Sequence, residues 1–193
     1  MPGRVFLAFA GCNGRALLDR ALYLSKEWAD DADRRDKAGV PADVGFATKP
    51  RLAEAMVGRA LRLGVQAAWV TGDAVYGNDG AFRRYLERIG QPYVLAVQAG
   101  RRLWVGFEQR RVDALAAEFA PGAWHRASAG GGSNGPRVYD WAVASHGPVD
   151  DRGWQLWLLV RRHRERPAER AYYLCRGPAD TRWAELVRAA GAR

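Results

Sequence analysis

The stretch Ala67-Ala68-Trp69-Val70-Thr71-Gly72-Asp73-Ala74-Val75-Tyr76-Gly77 passes from a short apolar run into a glycine and a single acid. Residues 67–71 are too few for a helix and lack alternation, which predicts a parallel strand covered on both faces. After a loop over residues 72–77, Asn78 or Asp79 can cap a helix carrying Phe82, Tyr85, Leu86 and Ile89, closed by Gly90 with Pro92 just beyond. Tyr93-Val94-Leu95-Ala96-Val97 is again strand-like. Strand, helix and strand in about 30 residues make a βαβ unit, with parallel strands and a right-handed crossover.

Working outward, Thr48 is a natural N-cap with Pro50 in the first turn, and Leu52, Ala55, Met56, Ala60 and Leu63 recur at helical spacing until Gly64. Residues 50–97 therefore read as an α/β core. Upstream, residues 5–10 and 16–24 read as a hairpin around the turn Gly11-Cys12-Asn13-Gly14. Residues 25–47 are polar and hold at most a short helix; Asp30, Asp31, Asp33 and Asp36 read as a solvated face and not as a metal site. Beyond Gln98 the pattern predicts a strand at 101–107, a short helix at 112–119 and a glycine-rich loop at 129–135. Strands at 138–144, 154–161 and 170–175 follow, and a helix starts at 181–190. Five of the eight tryptophans (Trp104, Trp124, Trp141, Trp154, Trp157) fall between residues 99 and 177, which suits a β-rich region packing large side chains.

With 193 residues and 48% apolar composition, the chain reads as one folded unit and not a disordered segment. No apolar run approaches the roughly 18 residues of a membrane span, and the start lacks a signal-peptidase site, so a cytoplasmic location is expected. Cys12 and Cys175 form no C-x-x-C pair, which argues against a disulfide scaffold or a structural zinc site and predicts buried thiols. The net charge is +9, and only Lys26, Lys37 and Lys49 are lysines, so the excess is almost all arginine. Residues 101–193 carry 16 bases against 10 acids, so it leans toward the second half. Guanidinium suits a polyanionic partner, although codon bias in a GC-rich genome also turns lysine into arginine.

Asp73 is the first candidate for chemistry, because ligands of open α/β sheets bind beyond the carboxyl ends of the strands. The competing reading is that it only caps its own turn. None of the lysines follows a glycine in a P-loop pattern, which removes that nucleotide-binding class. Gly131-Gly132-Ser133-Asn134-Gly135 matches the G-x-S-x-G string of serine hydrolases, with Asp150 and His163 following in order. However, Pro136 and a strand come next, where a nucleophile elbow needs a helix. His125, His146 and His163 lack zinc spacing. The best phosphate-gripping patch is the cluster Arg161-Arg162-His163-Arg164-Glu165-Arg166 between two strands, with Arg161, Arg162, Arg164 and Arg166 as DNA-contact candidates.

The motif Val70-Thr71-Gly72-Asp73-Ala74-Val75-Tyr76-Gly77 resembles the second-aspartate motif of bacterial insertion-sequence transposases of the DDE type, in the branch of insertion-sequence families four and seven-hundred-one. Further matching stretches are 15–24, Phe46-Ala47-Thr48-Lys49-Pro50, 92–97 and Ala171-Tyr172-Tyr173-Leu174-Cys175. The resemblance implies an RNase H-like α/β core with a β-rich insertion between the second and third acids. It also implies carboxylates holding two Mg2+ (or Mn2+) ions, transposon-end DNA as partner, and a place on the nucleoid. Asp73 would be the second acid and a metal ligand. Residues 1–98 would be a partial catalytic core, 99–177 the insertion, and 178–193 the start of the helix that carries the third acid.

Two of the three acids that the resemblance calls for have no counterpart here, since the matching first strand lies before Met1 and Glu185 comes too early in the last helix. The expectation is a transposase fragment, core incomplete at both ends, inactive alone and marginally stable because apolar surface is left uncovered. A non-catalytic DNA-binding or regulatory remnant, and an unrelated small-molecule enzyme using the Asp73 crevice, are the alternatives. Salt-sensitive binding to duplex DNA separates them.

Overall fold

A computed structural model describes residues 3–11, 13–132 and 135–192. The chain divides into two compact units, Met1–Ala67 and Ala68–Arg193. In the first unit, β1 (Gly3–Gly11) and β2 (Gly14–Tyr23) pair antiparallel with a bulge at Leu7/Ala8. Gly14 takes a positive φ of 141° at the turn, where Cys12 lies outside the described residues. Two short helices follow, α1 (Lys26–Ala29) and α2 (Ala32–Lys37), one more than the sequence suggested. Arg35 explains how the polar stretch after them holds a shape: its guanidinium donates to the carbonyls of Ala29, Pro41, Ala42 and Val44.

The helix α3 (Lys49–Arg62) starts where expected, with Thr48 Oγ1 accepting the Arg51 N–H, and gives way to Gly64 at φ +87°. Its buried positions Ala53, Met56, Val57 and Ala60 recur every three or four residues, and the helix packs on β1 and β2. Arg59 reaches Asp19 of β2 at 2.7 Å. The hairpin nevertheless leaves Phe6 (54% exposed) and Leu17 (61% exposed) uncovered. Such side chains on a two-stranded ribbon are a self-association risk.

The second unit is built on a six-stranded mixed sheet. Its strands are β3 (Val70–Gly72), β4 (Tyr93–Val97), β7 (His125–Gly132), β8 (Gly135–His146), β9 (Trp154–Arg162) and β10 (Arg170–Pro178), in the order β3-β4-β10-β9-β8-β7. The βαβ expectation holds: β3 and β4 are parallel and are joined through α4 (Ala74–Gly77) and α5 (Gly80–Arg88). Two details differ. The strand β3 is a three-residue, half-buried edge and not a fully covered one, and the expected loop 72–77 contains the turn of helix α4. The stretch 101–107 becomes a separate hairpin of β5 (Arg102–Val105) and β6 (Glu108–Arg111), turning on Gly106 at φ +60°, before α6 (Val112–Ala117).

The expected loop 129–135 is mostly strand. Residues with little intrinsic β preference, His125-Arg126-Ala127-Ser128-Ala129-Gly130-Gly131-Gly132, pair with β8, and the Trp141 indole N–H donates to the Ala127 carbonyl at 3.2 Å. Tertiary pairing overrides composition here. The last helix, α7 (Trp183–Gly191), lies against β7 and β4 over a core of Trp141, Trp157, Leu159, Tyr173 and Cys175. A Cβ on Gly191 would sit 2.1 Å from the Ala129 carbonyl oxygen, so only glycine permits this approach. Arg137 Nη2 bridges the Ala129 and Gly191 carbonyls at 2.9 and 2.8 Å, a cation placed at a helix C-terminus.

Asp150 sets the turn between β8 and β9, accepting the N–H groups of Trp154 (2.8 Å) and Arg152 (3.0 Å) and pairing with Arg176. The Trp154 amide first, then Arg152 and the Arg176 charge, hold its carboxyl below the ordinary carboxylate range. A depressed acid contributes stability above its unfolded value and loses it as pH falls through the folded one. Asp150→Asn is therefore expected to lower the urea midpoint at pH 7, with the gap to wild type closing below about pH 4, an unperturbed aspartate's range.

Candidate functional site

Asp73 stands directly after the carboxyl end of β3 and is the N-cap of α4. It is exposed, and its Oδ1 accepts the Val75 N–H at 2.8 Å. The cap engages one carboxylate oxygen, so the turn-forming reading and the chemical reading are not exclusive. Tyr76 follows on the next turn, its ring 5.9 Å from Phe82. Burial, and after it the Asp73 carboxylate, pushes the Tyr76 phenol above its ordinary range, so it stays neutral and can donate a hydrogen bond.

The carrier of Asp73 is held by backbone contact. A Cβ on Gly77 would lie 1.8 Å from the Ala96 carbonyl oxygen, so α4 lies against β4 only because residue 77 has no side chain. Asp79 caps α5 by accepting the Phe82 N–H at 2.8 Å. Two arginines that sequence reasoning missed tie the same loop: Arg83 donates to the Gly77 carbonyl and Arg101 to that of Asn78 (3.2 Å). Asn78 Oδ1 in turn accepts the Gln98 N–H at 3.2 Å, fastening the loop to the end of β4. Burial first, and then Arg101, pulls Arg83 down, although a guanidinium stays charged. Two cations thus underlie the Asp73 turn. The only signal in the sequence was Arg83 one helical turn after the Asp79 cap.

The basic cluster separates into different environments. Arg162 pairs with Asp140 at 3.3 Å and lies over Trp124 at 4.0 Å. Arg161 lies over Tyr139 at 4.4 Å. Arg166 bonds Glu169, and Arg164 is exposed at the tip of the β9–β10 turn. The serine-hydrolase pattern has no geometry behind it. Asp150 precedes β9 and His163 follows it, so nine strand residues, roughly 30 Å, separate them. Ser133 lies outside the described residues.

A parallel strand pair joined through helices, with an acid at a strand's carboxyl end in a large mixed sheet, is consistent with an α/β nuclease. Residues 4–118 match the DDE superfamily endonuclease family, and the chain belongs to it. No curated protein matches the chain. The matched region contains Asp73, Arg83 and Arg101 and stops before the β7–β10 arginines. Membership implies DNA as the class of substrate and a divalent metal as the usual cofactor.

Among the described residues, no three His, Cys, Asp or Glu side chains converge as a metal site. A two-ion centre needs several carboxylates, so the described residues do not fit one. No helix among them is long and apolar enough to cross a membrane.

Gly77→Ala is expected to lower unfolding free energy by about 1–3 kcal/mol, the usual cost of overpacking. Gly122→Ala, where a Cβ meets nothing within 4 Å, serves as control. Urea denaturation of both variants checks the difference.

Proposed function

We propose that the chain is part of the catalytic region of a DDE-type insertion-sequence transposase, of the branch of families four and seven-hundred-one. In this reading Asp73 is the second of three acids and the chain alone does not cleave DNA. The observation that carries the reading is an exposed aspartate at the end of β3, inside the span that matches DDE superfamily endonucleases.

The proposed organisation is an RNase H-like core over residues 1–98, a β-rich insertion over 99–177, and from 178 the start of the helix for the third acid. Asp73 alone offers too few ligands to retain Mg2+ or Mn2+.

DNA contact is assigned to Arg161, Arg162, Arg164 and Arg166, of which Arg162 and Arg166 would share their charge between phosphate and Asp140 or Glu169. Duplex DNA is expected to bind with an affinity that falls steeply with salt. Arg164→Ala tests this without disturbing packing, because among the described residues Arg164 is exposed and forms no ion pair. It is expected to reduce the slope of log K against log salt by about 0.9, the contribution of one phosphate contact. Supercoiled plasmid with Mn2+ is expected to remain intact; nicking that Asp73→Asn abolishes would overturn the inactivity. Salt-insensitive or absent DNA binding would overturn the DNA reading and favour a small-molecule enzyme.

A further inference from the structure

Among the described residues of the second unit, the two most exposed large apolar side chains belong to the β5–β6 hairpin: Trp104 at 62%, and Phe107, which is fully exposed. The turn does not require Phe107. Gly106 alone has a positive φ, +60°, so the two-residue loop is of the type that needs glycine first and places no apolar demand on the residue after it. Register explains why Trp104 is open. Directly opposed residues share a face, so Leu103, Val105, Glu108 and Arg110 form one side and Arg102, Trp104, Gln109 and Arg111 the other. The first side is anchored at its base, where Leu103 is buried and Arg110 pairs with Glu118. All four residues of the second side are exposed.

The hairpin is held in place before any partner arrives. The Val112 N–H donates to the Arg101 carbonyl at 2.8 Å and the Asp113 N–H to that of Ala99 at 3.2 Å, closing its base. Arg102 donates across the strands to the Gln109 carbonyl at 3.1 Å, a contact that orders the guanidinium without neutralising it. Among the described residues Arg102 is in no ion pair, whereas Arg111 opposite it shares its charge with Asp113 at 2.6 Å. The open side therefore presents an indole with an uncompensated cation two residues away, about 7 Å along the strand.

We infer that this face of the β5–β6 hairpin is a stacking platform for unpaired DNA bases, with Trp104 and Phe107 taking bases and Arg102 the adjoining phosphate. Aromatic faces beside a cation are the means by which proteins hold single strands without reading sequence. Bases inside a duplex are already stacked, so the ligand is a single-stranded or opened segment. A protein partner fits less well: two strands of four residues span roughly 14 by 10 Å, well below the about 800 Å² per partner of a stable interface. The inference rests on the DNA reading for the source of the bases and adds the hairpin to the arginines assigned above.

Fluorescence anisotropy with the full chain tests it, using a thymine oligonucleotide, the same backbone made abasic, and a duplex. The thymine strand is expected to bind about tenfold tighter than the abasic one, the effect of stacking one base. Trp104→Ala and Phe107→Ala are each expected to narrow that difference and to leave duplex affinity unchanged, while Leu63→Ala, an exposed apolar residue elsewhere, preserves it. Equal affinity of the unmodified protein for the thymine and abasic strands overturns the inference and needs no variant to fold. If duplex still binds in that case, the DNA reading stands without the platform; if no DNA binds, both fail. Self-association in sedimentation that Trp104→Ala removes, with no discrimination between the two strands, overturns the platform in favour of a protein contact.

Discussion

Strand β10 carries the architecture, because it pairs with β4 on one side and β9 on the other. The β4 contact runs from Tyr172 against Val97 to Arg176 against Tyr93, joining segments far apart in the chain. All five residues of β4 are buried, which is possible only for a strand with neighbours on both edges and cover on both faces. Without β10, the β3–β4 pair would be a two-stranded ribbon exposing that run to water, and such ribbons are marginal. Asp73 inherits its position from this arrangement: β4 is fixed by β10, α4 lies against β4 through Gly77, and Asp73 caps α4. Cys175, at the centre of β10, is wholly buried, which pushes its thiol far above the ordinary range and makes it a packing residue without reactivity.

Where local chemistry decided the structure, the sequence was readable. Thr48 and Asp79 cap the helices expected of them, because a side-chain oxygen three residues ahead of a free N–H needs no distant partner. The parallel pair β3–β4 followed from the length of two apolar runs and the helix between them. The β7 strand was not readable, since its alanines, glycines and serine have weak strand preference and only pairing with β8 makes them extended. The short edge β3 escaped for the opposite reason: Ala67, Ala68 and Trp69 look like strand but lie before it, with Trp69 packed where a Cβ on Gly177 would be 2.8 Å away.

The candidate site was legible to the same degree. Asp73 could be located because a strand end followed by a helix start is a local pattern, and its exposure agrees with a chemical role without excluding a capping one. Arg83 and Arg101 could not, because what sets them apart is convergence on successive carbonyls, Gly77 and Asn78, from opposite sides of β4 in sequence.

The arginines show why composition alone cannot assign a nucleic-acid surface. A net charge of +9 counts every guanidinium equally. In the folded chain Arg59, Arg162 and Arg176 face Asp19, Asp140 and Asp150, so part of their charge is compensated within the protein. Arg161 and Arg170 are ordered by Tyr139 and Trp124, rings that add no negative charge, and their field remains available to a ligand. The partner of each arginine, set by strand register across β8, β9 and β10, therefore decides its role. Asp140 opposite Arg162 and Trp141 opposite Arg161 differ by one position, and a slip of one residue would exchange the paired and the unpaired cation. The register between β8 and β9 thus also determines where the sheet's positive charge is free to act.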